Sequence, residues 1–217
     1  MMRVLVPKTT TKYVSVFVIW LFHISGFIGI AFGNKDLFAA FTPVNLFISF
    51  FLLFSNQIEF NNRNLTSCLG IFLIGMVAEI LGVNYGFIFG EYIYLENLGY
   101  KIFGVPVLIG VQWILLTFIT GSFSSHLFQK NKLKSIIFGV LIMILLDLLI
   151  EPIAPKLGFW VFSNSVAPFQ NYLGWFIIAF FCQIAFQFGI NKKEKTFSFH
   201  LLIINFLFFG LLNILAL

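Results

Sequence analysis

The sequence predicts an all-α integral membrane protein with about seven transmembrane helices. Of its 217 residues, 60% are hydrophobic and 10% are charged, and the mean hydropathy is +1.01. A soluble domain carries about 25% charged residues, so this chain has too few charges to cover a water-exposed surface. Apolar runs of about 20 residues recur along the chain, and each is long enough to cross a hydrocarbon core of ~30 Å. We expect residues 1–217 to form a single polytopic membrane domain.

Seven apolar segments account for most of the chain. The first follows a basic stretch, but its apolar run is too long for a signal peptide and no small-residue cleavage site follows it. We therefore expect a retained first helix. The predicted spans are 13–32, 36–55, 65–85, 105–127, 133–153, 171–190 and 197–217.

The distribution of basic residues predicts that the N-terminus lies inside and the C-terminus outside. Lysine and arginine concentrate in the cytoplasmic connections of membrane proteins, and ten of the 13 here fall on the N-terminal side of the membrane. These ten are Arg3, Lys8, Lys12, Arg63, Lys130, Lys132, Lys134, Lys192, Lys193 and Lys195, and the other three are Lys35, Lys101 and Lys156. The net charge of +5 therefore follows membrane topology, and we expect no nucleic-acid partner.

Two connections on the predicted outer side differ from the short basic ones inside. The segments 84–104 and 154–170 are long, rich in glycine and aromatic residues, and still largely apolar. Non-helical backbone at membrane depth is tolerated where it is buried in protein or lines a cavity. We expect both segments to be re-entrant or interfacial and to fold over the helix bundle.

Three carboxylates, Glu79, Asp147 and Glu151, lie inside the predicted spans. A charge at mid-bilayer costs roughly 2.5–3.5 kcal/mol, so these groups should face the protein interior. Glu79 lies 14 residues after Leu65, and Asp147 lies 14 residues after Leu133. At ~1.5 Å per residue, both are ~21 Å from the inner face. Together with the early residues of the fourth and sixth spans, the three carboxylates are predicted to converge on a cavity in the outer half of the bilayer.

The spacing of two of these carboxylates predicts proton chemistry. Asp147 and Glu151 are four residues apart and therefore share one helix face. Two carboxylates so close in a low dielectric cannot both ionise cheaply, which leaves one neutral acid as a donor and one acceptor. A structural hydrogen-bonding role for Glu79 and Asp147 stays open. Glu151, which precedes Pro152, could instead face the aqueous boundary.

Several reaction classes lack their motifs. The chain has no HxxxH, GxGxxG, P-loop, GxSxG or DxxxD prenyl-diphosphate pattern. His23 and His200 have no partner at ligand spacing. We therefore expect no metal site and no cofactor.

An ordered set of motifs in residues 75–176 resembles the family of carotenoid-biosynthesis membrane proteins that includes the carotenoid 1′,2′-hydratases and the bisanhydrobacterioruberin hydratase. The first part of the set is Glu79-x2-Gly82-x3-Gly86-x2-Phe89-Gly90-x-Tyr92-x-Tyr94. The rest, in order, is Gly104-Val105-Pro106 with Trp113, Asp147…Glu151-Pro152, and Pro168-x2-Asn171-x2-Gly174-Trp175. One departure is Glu151, where the family tends to carry aspartate before the proline.

The resemblance implies a hydratase that adds water to the terminal 1,2 double bond of an acyclic carotenoid such as lycopene or γ-carotene. Asp147 or Glu151 would donate the proton and Glu79 would orient the water, or these roles would be reversed. The residues expected to bind substrate and stabilise a cation are Tyr92, Tyr94, Trp113, Trp160, Asn171 and Trp175.

Three alternatives stay open at this stage: a lycopene-type cyclase, a membrane transporter subunit, and a non-enzymatic carotenoid-binding protein. We expect the protein in a bacterial or archaeal cell membrane, in contact with lipid. Homo-oligomers and complexes with other carotenoid enzymes are also compatible with the sequence.

Overall fold

The computed structural model describes residues 5–57, 61–129 and 131–215, and these residues are mostly helical. The helices are α1 (Thr10–Phe32), α2 (Lys35–Ala40), α3 (Thr42–Asn56), α4 (Asn62–Tyr85), α5 (Val107–Leu127), α6 (Lys132–Ile150), α7 (Phe169–Gly189) and α8 (Thr196–Ile214). With α2 and α3 taken together, seven helical spans in the described residues are long and apolar enough to cross a membrane. The predicted helical architecture with seven possible spans is confirmed, but the all-α prediction did not include the four short strands of the connections. The orientation stays a prediction, and two of its basic residues, Arg3 and Lys130, lie outside the described part of the chain.

Polar side chains set the starts of several helices. Asn34, Asn61 and Asn131 each accept a hydrogen bond from the backbone N–H three residues later, at the starts of α2, α4 and α6. Thr9 does the same at the start of α1. Such N-caps satisfy backbone donors that have no partner within the helix, which explains why these helices begin where the apolar runs begin.

The helix α5 forms the centre of the bundle. It contacts α3, α4, α6, α7 and α8, and 72% of its most apolar window is buried. One close approach depends on a glycine: a Cβ atom at Gly75 of α4 would lie 2.5 Å from the indole ring of Trp113 on α5. Close helix packing without a side chain is common in membrane bundles, and here it brings α5 close to the carboxylate-bearing helix α4.

The two long connections, 86–106 and 151–168, meet at one end of the bundle, and we call them together the cap. Strand β1 (Tyr92–Tyr94) pairs antiparallel with β4 (Trp160–Phe162), and β2 (Lys101–Ile102) pairs with β3 (Val105–Pro106). A 3-10 turn (Pro155–Leu157) precedes β4 and contacts α2. The cap therefore joins the ends of α4 and α6 to the starts of α5 and α7. Whether it is re-entrant or interfacial in a membrane stays a prediction.

The opposite end is anchored by a carboxylate that sequence reasoning did not single out. Glu194 is 1% exposed, and its Oε1 lies 3.3 Å from Lys12 Nζ on α1. Its Oε2 accepts a hydrogen bond of 2.9 Å from the backbone N–H of Ser198 in α8. Gln57, at the end of α3, accepts from the Glu194 backbone N–H at 3.3 Å. The contacts of Glu194 therefore join α1, α8 and the end of α3.

Candidate active site

Glu79 on α4 lies beneath the cap and is 5% exposed. Its Oε2 accepts hydrogen bonds from the hydroxyls of Tyr92 at 2.5 Å and Tyr94 at 2.7 Å. Its Oε1 accepts from Trp113 Nε1 at 3.0 Å. Both tyrosines point to the same face because residues two apart on a strand share a face. The three donors satisfy a carboxylate, which can only accept hydrogen bonds.

A glycine lets the strand come this close to the helix. Gly82 lies one turn after Glu79, and a Cβ atom there would sit 2.8 Å from the Tyr92 hydroxyl and 2.9 Å from the ring of Phe89. Any larger side chain would displace the hydroxyl that binds Glu79. The spacing Glu79-x2-Gly82 is therefore explained by the approach of β1.

Asp147 and Glu151 share a single donor, Asn171 on α7. Asn171 Nδ2 lies 2.9 Å from Asp147 Oδ2 and 3.3 Å from Glu151 Oε1. Asp147 is fully buried, and its Oδ1 has no hydrogen-bond partner among the described residues. Glu151 follows the last residue of α6, is half-buried, and accepts a further bond of 3.1 Å from Trp160 Nε1. Two carboxylates with so few donors form an arrangement suited to sharing a proton.

Glu79, Glu151 and Asn171 line one cavity, which we call the carboxylate cavity, with about 380 Å³ of space not filled by atoms. Its lining residues are Glu79, Phe89, Tyr92, Tyr94, Ile109, Gln112, Trp113, Leu116, Glu151, Trp160, Phe162, Asn171 and Trp175. The rings of Trp113 and Trp175 stack at 4.4 Å. Aromatic faces attract a cation, with estimates of ~2 kcal/mol or more in a desolvated site. The cavity thus combines acid groups with surfaces that stabilise positive charge.

Burial sets the protonation of the cap residues in this cavity. It raises the pKa of the hydroxyls of Tyr92 and Tyr94, and the Glu79 charge raises it further, so both tyrosines keep their protons and remain donors. Burial also raises the pKa of Glu151 to about 7, although the Trp160 hydrogen bond opposes this rise. A carboxyl group with a pKa near neutrality is well suited to general acid catalysis.

The structure brings together all nine site residues expected from the sequence, but in two layers. Eight of them line the carboxylate cavity, whereas Asp147 is absent from its lining and reaches it through Asn171. The catalytic roles of these residues stay predictions.

Two lining aromatics, Phe89 and Phe162, were not expected. Phe162 could have been found, because it is two residues from Trp160 and so shares a strand face with it.

The family model described as "Carotenoid biosynthesis protein" matches residues 39–217. The chain belongs to the carotenoid biosynthesis protein family. Every residue of the carboxylate cavity lies within the matched region, which extends well beyond residues 75–176 and excludes only the first 38 residues.

One curated relative matches only part of the chain, and at low sequence identity. The chain is 29% identical over 126 residues to the bisanhydrobacterioruberin hydratase of Haloarcula japonica. The match covers 52% of this chain and 41% of that protein, so the chain spans less than half of the relative's length. A comparison with solved structures gave no significant match.

Proposed function

We propose that this member of the carotenoid biosynthesis family is a hydratase that adds water to the terminal 1,2 double bond of an acyclic carotenoid. The observation that carries the proposal is the pairing of two separate acid sites across one aromatic cavity: Glu79 with three donors on one side, and Glu151 with Asp147 on the other. The distant relative named as a hydratase supports the reaction class.

Glu151 is the proposed proton donor because it lines the cavity and Asp147 does not. The π electrons of the C1–C2 double bond form a bond from C2 to the Glu151 proton, which leaves a tertiary cation at C1. The carboxylate left on Glu151 keeps its hydrogen bonds from Trp160 and Asn171. Asp147 acts behind them as a positioning residue that holds Asn171.

The aromatic lining stabilises the cation until water arrives. The stacked pair Trp113 and Trp175, with Trp160 beside Glu151, offers ring faces on several sides of the cavity. Burial keeps Tyr92 and Tyr94 protonated, so both hydroxyls remain neutral hydrogen-bond donors to Glu79 and neither is a phenolate beside the cation.

Water then adds its oxygen to C1 and gives a proton to Glu79. Over one turnover Glu79 gains one proton and Glu151 loses one. The enzyme is restored when Glu79 releases its proton and Glu151 regains one. The reaction changes no oxidation state of the protein and needs no redox partner.

A second candidate is a carotenoid cyclase, because both oxygens of Glu79 already accept hydrogen bonds from protein groups. A water molecule would have to compete with those donors. If water is excluded, an internal double bond of the substrate would trap the same cation and form a ring.

Expression in a host that accumulates lycopene or γ-carotene distinguishes these functions. Gain of one water in the product mass supports the hydratase, and unchanged mass with a new ring supports the cyclase. Pigment that co-purifies without any conversion would instead favour a carotenoid-binding protein, and no pigment at all would favour a transporter subunit. The substrate would come from the lipid of a bacterial or archaeal cell membrane.

A further inference from the structure

A second cavity adjoins the carboxylate cavity and extends into the bundle. We call it the central cavity; it has about 750 Å³ of unfilled space between α1, α3, α5 and α8. Three residues, Gln112, Leu116 and Trp160, line both cavities, so the two are neighbours across a shared wall. Along α5 the central cavity runs from Gln112 to Ile119, which is a depth of ~10 Å at ~1.5 Å per residue.

A third cavity continues from the central one to the side of the bundle. We call it the lateral cavity; it has about 680 Å³ of unfilled space between α1, α2, α3 and α8. Thr42, Asn45 and Phe208 line both it and the central cavity. Its outer wall includes Phe41 and Val44, which are 56% and 47% exposed on the apolar surface of the bundle.

The size of the substrate requires a space of this kind. A C40 polyene is about as long as the hydrocarbon core is thick, ~30 Å. In the proposed reaction the end group lies in the carboxylate cavity, so the rest of the polyene chain must extend beyond that cavity. The three cavities adjoin in sequence, at Gln112 and at Asn45, from the carboxylates to the apolar flank of the bundle.

The central cavity is suited to an apolar chain despite its polar residues. His23 Nδ1 lies 2.7 Å from the carbonyl of Ile19, and Asn205 Nδ2 donates to the carbonyl of Leu201 at 2.8 Å. One nitrogen of each of these two side chains is therefore bonded within its own helix. Asn45 Oδ1 is buried without a partner in the described part of the chain, so the junction offers one acceptor to a water or hydroxyl.

We propose that the central and lateral cavities bind the polyene chain of the substrate and form the route by which it enters from the bilayer. The inference rests on the proposed function for the identity of the substrate. It assigns to α1, α3 and α8 a part in substrate binding, in addition to the site residues on α4 to α7 and the cap. The end group then reaches Glu151 from within the membrane and not from the aqueous side of the cap.

Ser49 on α3 provides a specific test, because it lines the central cavity and is 3% exposed. Ser49→Phe adds a ring to the proposed path of the chain. Ser55→Phe makes the same change on the same helix, where Ser55 is exposed and lines none of the three cavities. Each protein is purified in mild detergent from cells that accumulate lycopene, and the pigment bound per protein is measured by absorption. Conversion is then compared for lycopene and for a short acyclic isoprenoid with the same end group.

We expect Ser55→Phe to match the wild type, and Ser49→Phe to bind at least tenfold less pigment. The ratio of long-substrate to short-substrate conversion should also fall at least tenfold in Ser49→Phe. Wild-type pigment binding and an unchanged ratio in Ser49→Phe would overturn the inference, as would an equal loss with both substrates in a stably folded variant. If the wild type binds pigment but converts nothing, the hydratase proposal fails, and pigment loss in Ser49→Phe alone still supports the chain-binding path.

Discussion

Tyr94 and Trp160 face each other across the β1–β4 ladder, and each donates a hydrogen bond to a different carboxylate. Tyr94 binds Glu79 on α4, whereas Trp160 binds Glu151 at the end of α6. Their ring centroids are 6.0 Å apart. Two residues in register on a short ribbon therefore fix the separation between the acid sites on two helices.

Loss of the Glu79 carboxylate should remove the group that accepts the proton from water. Glu79→Gln keeps the size of the side chain but loses an acceptor oxygen, and we expect product formation to fall at least 100-fold. Removal of one catalytic base typically costs 10²–10⁴-fold. The measurement is product per membrane-inserted protein in a lycopene-accumulating host.

Glu91→Gln is the matched control, because Glu91 is exposed and lies outside the lining of the carboxylate cavity. Full activity of Glu79→Gln would contradict its role.

Asp147 and Glu151, at the end of α6, should contribute unequally to the rate of product formation. Glu151→Gln removes the proposed donor, and we expect a loss of at least 100-fold. Asp147→Asn leaves the donor in place but changes the partner of Asn171, so we expect a smaller loss, roughly tenfold, with a displaced pH profile. Turnover of lycopene across a pH series by the purified variants provides the comparison. A larger loss in Asp147→Asn than in Glu151→Gln would reverse the assignment of the donor.

The pH profile should follow the protonation of Glu151. The acid form must be present, so activity should fall as pH rises through a pKa of about 7. The Trp160 N–H stabilises the charged carboxylate and thereby lowers this pKa. Trp160→Phe removes that hydrogen bond and keeps an aromatic face, so the pKa should rise and the alkaline limb should move to higher pH.

Trp20→Phe serves as a control for this shift. The Trp20 indole donates to His200 and does not line the carboxylate cavity. Its pH profile should match that of the wild type. An alkaline limb that moves to lower pH in Trp160→Phe, or stays unchanged, would show that Glu151 is not the titrating donor.

The buried anchor at the opposite end of the bundle should matter for stability. Glu194→Ala removes the acceptor of the Ser198 backbone N–H in the first turn of α8 and leaves Lys12 without its ion pair, and we expect a loss of about 1–3 kcal/mol in the free energy of unfolding. Glu96→Ala is the contrasting control, since Glu96 pairs with Lys101 at 2.9 Å but its side chain is 91% exposed. Exposed pairs contribute about 0–1 kcal/mol. Thermal denaturation of both variants in the same detergent measures these losses. Equal losses of stability in the two variants would show that the buried contacts of Glu194 do not anchor this end of the bundle.

Much of the site could be predicted because its signals are local. The four-residue spacing of Asp147 and Glu151 fixes a shared helix face, whereas the strand that places Tyr92 and Tyr94 on one face was not predicted. The long apolar runs likewise predict the spans, because length and hydropathy are read directly from the sequence.

The rest depends on contacts between distant segments. The pairing of Tyr94 with Trp160 joins strands of three residues that are 66 positions apart, and such short strands carry too little periodicity to show their partners. The buried position of Glu194 depends on Lys12, which is 182 positions away. The central and lateral cavities also arise only from packing, since their lining comes from helices at both ends of the chain.

The most direct test of the proposed function is the mass of the product that the purified wild-type protein forms from lycopene in water labelled with heavy oxygen. We expect a product that has gained one water, with the heavy oxygen on the terminal carbon C1. Glu79→Gln under the same conditions should give at most a trace of it. A product of unchanged mass that carries a new ring, and no heavy oxygen, would contradict the hydratase.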